Sequence, residues 1–301
     1  MSSEALAGTQ VAVVTPFRDD GAIDWQAWNR LIDLHLASGT DGLIVGGSTG
    51  ESAALTDAER RELAAHAASQ AAGRLRIVVG CGTSSTAGTV ARVREFSRLP
   101  GVDGLLLAAP AYCRPPQEGL FRHFEAAAAA SAVPVVLYNV PSRTGVDLLP
   151  ETVARLAVLP RIVAVKEAVT SMSRIRDLIA ACPPDFLVLS GDDATAREAV
   201  RHGARGVISV TGNVAPAQVA AMMRAALAGH EAEAAELDAR LAGLHHTLFV
   251  ESNPIPVKWA LERMGLTRGA LRLPLVPMSP RHYAAVEQSL LQAGITLAAA
   301  A

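Results

Sequence analysis

Short runs of β-rich apolar residues recur along this chain at near-regular intervals, and that recurrence constrains the fold more than any other feature. The runs are Val11 to Val14, Leu43 to Val45, Ile77 to Val79, Leu105 to Leu107, Val135 to Tyr138, Ile162 to Val165, Phe186 to Leu189 and Val207 to Val210. An uninterrupted apolar run is the pattern of a strand covered on both faces, as in a parallel sheet. Spacings of about 20 to 35 residues leave room for one crossover helix per strand. Several helix starts are written out. Thr56-Asp57-Ala58-Glu59 is a capping box, and Pro150-Glu151 puts proline in a first turn with an acid at the positive end of the dipole. Asp192-Asp193-Ala194-Thr195 is expected to open a helix in a similar way after the seventh strand.

Eight βα units admit an open doubly wound sheet or a closed barrel. The open form usually announces itself by a GxGxxG turn after the first strand, and Thr15-Pro16-Phe17 is not one. The expected fold is therefore α/β, a (β/α)8 TIM barrel over residues 1–230. Residues 231–301 carry helical periodicity over Glu231 to Leu248, Pro256 to Met264 and Ser279 to Ala293, with Pro274 to Pro277 as a linker. They are expected to form a helical appendage packed on the barrel.

Composition narrows the class. A formal charge of −2 lacks the basic excess of a nucleic-acid binder. The N-terminal residues show no basic segment leading into an apolar one, and no stretch has the uncharged length of a membrane span. Cys81, Cys113 and Cys182 are scattered without a CxxC pair, and His245-His246 has no accompanying ligand cluster. The expectation is a cytoplasmic protein with no metal and no bound cofactor.

In a barrel of this kind the chemistry sits just past the strand ends. Arg161 to Glu167 runs four apolar residues straight into Lys166, whose burial there would lower its pKa and free the amine as a nucleophile. A lysine that merely snorkels to solvent reads equally well on this stretch alone. Gly46-Gly47-Ser48-Thr49-Gly50-Glu51-Ser52 could hold a carboxylate on its hydroxyls and N–H groups, or be a plain glycine turn. Tyr112 and Tyr138 stand at strand ends, where tyrosines are often only packed aromatics. Arg143 suits a carboxylate substrate or a helix carboxylate alike.

Together these strand ends resemble the pyruvate-dependent class I aldolases and lyases of the dihydrodipicolinate synthase / N-acetylneuraminate lyase superfamily. The resemblance runs through Ser48 to Glu51, Tyr138 to Pro141, Val165-Lys166-Glu167, Gly191-Asp192-Asp193, Gly206 to Val210 and Asn253 to Lys258. It implies that Lys166 forms a Schiff base with pyruvate and that Tyr138 is the acid/base. It further implies that Ser48 and Tyr112 relay protons, Tyr112 coming from a neighbouring subunit of a dimer or tetramer. Thr49 and the Ile208 backbone match the pyruvate-binding positions, and Arg143 the arginine that receives the second substrate's carboxylate.

Pro141 to Gly145 and Asn253 to Lys258 are closest to the synthase branch, which condenses pyruvate with aspartate-4-semialdehyde in lysine and diaminopimelate biosynthesis. Ser48, where synthases usually carry threonine, is nearer the lyase branch, so a sugar-acid lyase or 2-keto-3-deoxy acid aldolase is the alternative. A non-catalytic metabolite-binding barrel would require the lysine, tyrosine and relay hydroxyl to be lost, and all are present. By the same resemblance, the positions that hold lysine in feedback-regulated synthases carry Ser84, Gly88, Ala111 and the stretch Asp57 to Arg60. Weak or absent inhibition by lysine is the expectation.

Overall fold

The computed structural model describes residues 3–298. Its eight parallel strands close into a barrel in the order in which they occur along the chain. They are β1 (Gly8–Ala12), β2 (Gly42–Val45), β3 (Arg76–Gly80), β4 (Gly104–Ala108), β5 (Val135–Asn139), β6 (Ile162–Glu167), β7 (Leu187–Ser190) and β8 (Gly206–Ser209). β8 pairs with β1 through Gly8↔Gly206 to Val11↔Ser209, which closes the ring. The apolar runs locate the strands to within a few residues. The largest difference is at β1, which begins at Gly8 and ends at Ala12. Val13 and Val14 lie past its end, and the Val14 N–H donates to Asn213 Oδ1 at 3.0 Å instead of to a strand.

The first four helices are α1 (Trp25–Ser38), α2 (Asp57–Ala71), α3 (Thr86–Phe96) and α4 (Gln117–Ala129). After β5 come a single turn, α5 (Pro141–Thr144), and then α6 (Pro150–Ala157). α7 (Met172–Ala181), α8 (Ala196–Arg201) and α9 (Pro216–Leu227) complete the outer ring. Strand alternation divides the core into two layers. Outward residues such as Val11, Leu43, Ile77, Leu105, Val135 and Val165 pack beneath the helices. Inward residues Ala12, Ile44, Val78, Leu106, Val136, Ala164, Leu187 and Ile208 fill the barrel. Side chains therefore plug the barrel from below, and a ligand can enter only at its C-terminal mouth.

The helix starts behave as their residues dictate, with one exception. Thr56 and Glu59 form the reciprocal capping box of α2, and Pro150 occupies the first turn of α6. The pair Asp192-Asp193 divides its work. Asp192 Oδ2 accepts from the N–H and hydroxyl of Thr195, ahead of α8. Asp193 does not open the helix. Its carboxylate crosses to the end of β8 and accepts from the Ser209 hydroxyl and from Val210 and Thr211 N–H, at 2.8 and 3.0 Å for the two amides. Three orphan donors at a strand exit satisfy a buried carboxylate better than one helix amide would.

Beyond α9 the chain continues as α10 (Glu231–Thr247), α11 (Ile255–Arg263) and α12 (Tyr283–Gln292), with α10 packed on α9 and α12. Lys258 of α11 is fully buried, ion-paired with Glu51 and set 4.3 Å above the Phe17 ring. This pair ties the C-terminal helices to the loop after β2. No helix among the described residues is long and apolar enough to cross a membrane.

Candidate active site

One irregularity in the sheet decides which side chains meet. Val135 of β5 pairs with Ile162 of β6, but Val136 pairs with Ala164, so Val163 is an extra residue in β6. The register that follows sets Lys166 opposite Tyr138. Without the bulge, outward-facing Val165 would stand there. Lys166 Nζ lies 4.4 Å from the centroid of the Tyr138 ring.

The two groups are pushed in opposite directions. Burial pulls the Lys166 ammonium down to about 8; the Asp193 carboxylate resists this and the Arg143 guanidinium adds to it. Burial pushes the Tyr138 phenol up to about 12, with Arg143 opposing and Glu167 adding. Near neutral pH the amine is thus within reach of its nucleophilic form, while the phenol holds its proton. The chain's other lysine, Lys258, is locked to Glu51, whereas Lys166 has no ion-pair partner among the described residues. Outside the barrel, Glu167 anchors this strand end. Its carboxylate accepts from Asn139 Nδ2, from Val169 N–H at 2.8 Å and from Arg174, which also grips Asp147.

Lys166 and Tyr138 open into a cavity of about 240 Å³ at the barrel mouth, walled also by Ser48, Thr49, Arg143, Asp192, Val210 and Asn253. The turn that carries Ser48 and Thr49 is pinned from behind by buried Arg60. Its guanidinium donates to the carbonyls of Gly46, Gly80 and Ser52. Gly46 has φ +64°, and a Cβ there would meet Arg60 Nη1 at 2.6 Å, so this position requires glycine. Thr49 Oγ1 accepts from Asn253 Nδ2 at 2.9 Å, which leaves the threonine proton free for a ligand. Arg143, on the single turn α5, donates to the Asn253 carbonyl at 3.1 Å and has no carboxylate partner among the described residues. A cation without a counter-ion in a cavity wall is suited to pair with an anionic ligand.

Five of the seven residues singled out from the sequence, Lys166, Tyr138, Ser48, Thr49 and Arg143, therefore surround one cavity. No hydrogen bond joins Ser48 to Tyr138 among the described residues, though both also border a second cavity of about 250 Å³ lined by Arg60, Arg92 and Cys81. Ile208 is packed inside the barrel, one inward position below Val210 at the wall. Tyr112 is not on the wall of its own chain's cavity. It is 95% exposed, with φ +74°. Sequence reasoning missed Asn253 as a wall residue, although the segment that contains it was singled out. It also missed the buried carboxylates of Glu51 and Asp193. Among the described residues no three metal-ligating side chains converge.

Residues 5–293 match the sequence profile of the Dihydrodipicolinate synthetase family. The 4-hydroxy-tetrahydrodipicolinate synthase of Laribacter hongkongensis is 46% identical over 290 residues, 96% of this chain and 99% of that protein. The chloride-inhibited dihydrodipicolinate synthase of Acinetobacter baumannii, solved in complex with pyruvate, is 41% identical. It superposes with a TM-score of 0.94 over 96% of this chain and 99% of that one. The dihydrodipicolinate synthase of Cyanidioschyzon merolae, solved with lysine bound, is 35% identical with a TM-score of 0.93, over 97% and 99% of the two chains.

Proposed function

The chain belongs to the dihydrodipicolinate synthetase family, and from that premise we infer that it is a 4-hydroxy-tetrahydrodipicolinate synthase of lysine and diaminopimelate biosynthesis. It condenses pyruvate with aspartate-4-semialdehyde. The observation that carries the site assignment is the isolated, buried amine of Lys166 beside a phenol that keeps its proton. The neutral Nζ adds to C2 of pyruvate, and the carbonyl oxygen leaves as water once it has been protonated. Loss of a C3 proton turns the iminium into an enamine. C3 of the enamine then attacks the aldehyde carbon, whose oxygen takes up a proton. Tyr138 is the group within reach that can deliver and recover these protons, with Ser48 beside it. The Thr49 hydroxyl and the backbone about Ile208 to Val210 hold the pyruvate carboxylate. Arg143 receives the carboxylate of the aldehyde, a charge that the polyhydroxylated chain of a sugar acid would not present at that point. The covalent pyruvate makes a separate organic cofactor or metal unnecessary. Three free cysteines suit a reducing, cytoplasmic setting.

Two copies complete the site. Tyr112 is a large aromatic held almost wholly exposed on a left-handed backbone, and Arg114 near it is also at positive φ. A neighbouring subunit would bury this side chain. The second cavity, which reaches Ser48 and Tyr138 from the side, is where a neighbouring subunit's tyrosine would join the relay in a dimer or a dimer of dimers.

The test is turnover of pyruvate with aspartate-4-semialdehyde beside turnover of N-acetylneuraminate, on native protein and on Arg143→Ala. The native protein should use the first and not the second. The variant should lose about 10- to 150-fold in kcat/KM for the aldehyde, from one charge-assisted pair, while still forming the Schiff base with pyruvate. Equal damage to both substrates would remove Arg143 from this role. Cleavage of N-acetylneuraminate as the faster reaction would overturn the assignment.

The positions that would hold lysine bear on regulation. Gly88, in the first turn of α3, supplies no carboxylate. An ammonium effector would lose a charged hydrogen bond there, about ten- to a hundredfold in affinity. L-lysine is expected to leave activity nearly untouched in a titration. Half-inhibition at or below about a millimolar would show that a lysine site survives.

A further inference from the structure

The extra residue in β6 has to be held in place by something. Val163 and Ala164 both pack with the barrel's inner layer, although only Val136 stands between the pairings of Val135 and Leu137. If β6 ran straight, Val163 would pair with Val136 and every later residue would change face. Val165 would enter the barrel, Lys166 would turn out beneath the helices, and Glu167 would turn in. The run Ile162 to Val165 is apolar throughout and is covered on both faces, so its pattern does not choose between the two registers. A bulge also gives up ladder pairing. The preference for it must come from outside the run.

Asn139 and Glu167 stand opposite each other in the ladder, directly after Tyr138 and Lys166. Both are buried. Asn139 Nδ2 donates to the two carboxylate oxygens of Glu167 at 3.1 and 3.0 Å. That amide is oriented independently, because its Oδ1 accepts from Leu148 N–H at 2.9 Å. Glu167 has two further donors, Val169 N–H at 2.8 Å and Arg174 Nη1 at 3.4 Å. In a straight β6 the carboxylate would point to the opposite face and leave all three, and each would lose an acceptor.

We propose that the Asn139–Glu167 pair is the register pin of the active site, holding β6 in its bulged register and so keeping Lys166 inside the barrel opposite Tyr138. Neither residue lines the cavity, so both are positioning residues. Specifying a register is the best-attested use of a buried polar pair. The inference rests on the reading above in which Lys166 carries pyruvate.

The experiment measures kcat, the KM for pyruvate, borohydride-trapped pyruvate per chain, and the melting temperature. A chain in the wrong register has no lysine at the mouth. It therefore lowers kcat and trapped pyruvate together, while the competent chains keep the native KM. Glu167→Ala should lower both by about ten- to a hundredfold, with KM within about threefold of native. Glu167→Gln keeps an acceptor for Asn139 and Val169, so it should trap pyruvate to within about threefold of native. The double variant Asn139→Leu, Glu167→Leu replaces the polar pair by an apolar one, which restores packing without a pin. It should melt near the native temperature and still trap little pyruvate, and it decides the matter if Glu167→Ala does not fold. Trapping and kcat that recover with stability in the double variant overturn the inference, since the pair would then be structural only. Equal damage from Gln and Ala overturns it too, because charge alone would be acting. A native enzyme that traps no pyruvate on Lys166 overturns both this inference and the Schiff-base reading.

Discussion

Borohydride reduction in the presence of pyruvate is expected to fix one pyruvate-derived group on Lys166 and none on Lys258. These are the chain's two lysines, so peptide mapping gives an unambiguous answer. Both are buried, and burial alone does not choose between them. The choice is made by their surroundings. Lys258 is ion-paired to Glu51 and lies over the Phe17 ring, whereas Lys166 faces the cavity with no ion-pair partner among the described residues. Replacing Lys166 by alanine should lower turnover by at least about four orders of magnitude, because no other amine at the barrel mouth can form the covalent intermediate. An adduct on Lys258, or turnover by Lys166→Ala within a hundredfold of native, would end the Schiff-base reading.

The same lysine sets the expected pH dependence. Its pKa is lowered from the ordinary value to about 8, so the neutral amine is lost as pH falls through that region. The rate constant for imine formation with pyruvate, read as kcat/KM for pyruvate, should climb about tenfold per unit well below pH 8 and flatten above it. An unshifted lysine, near 10.4, would keep the profile climbing for two further units. Stopped-flow measurement of imine formation between pH 6 and pH 10 separates the two cases.

The fold was legible because strand placement depends on runs of apolar residues, and these survive in a single sequence. Val11 to Val14 misled by two residues because apolarity continues past the point where ladder pairing with β2 stops. Register was not legible at all. Ile162-Val163-Ala164-Val165 is apolar throughout, so nothing in it marks Val163 as the extra residue that puts Lys166 opposite Tyr138. Asp193 was misread for a related reason. Two adjacent acids after a strand look like a helix start, and only the fold shows that the β8 exit offers the second one better-placed donors. Asn253 and Arg143 are far apart in sequence, and their contact exists only because the C-terminal segment returns over the barrel mouth. Long-range pairing of this kind leaves no local signal.

Tyr138→Phe is the second large effect and the sharper test of mechanism. The ring is part of the barrel's inner layer and is 7% exposed, so phenylalanine should keep the packing and the thermal stability. Within the described chain the hydroxyl hydrogen-bonds to no residue, so phenylalanine strands no intrachain partner. Turnover should fall by about two to four orders of magnitude, the range for losing a positioned proton donor, which corresponds to about 3 to 5 kcal/mol in the barrier. The loss should appear in kcat more than in the KM for either substrate, since neither carboxylate is held by the phenol. Burial also makes a prediction about the alkaline limb. With the phenol pushed up to about 12, its ionisation should not reduce activity at pH 10 or below, although an unburied tyrosine would titrate there. A phenylalanine variant with near-native kcat would mean that the proton travels through another group. Ser48 would then be the next to test, because it shares both cavities with Tyr138.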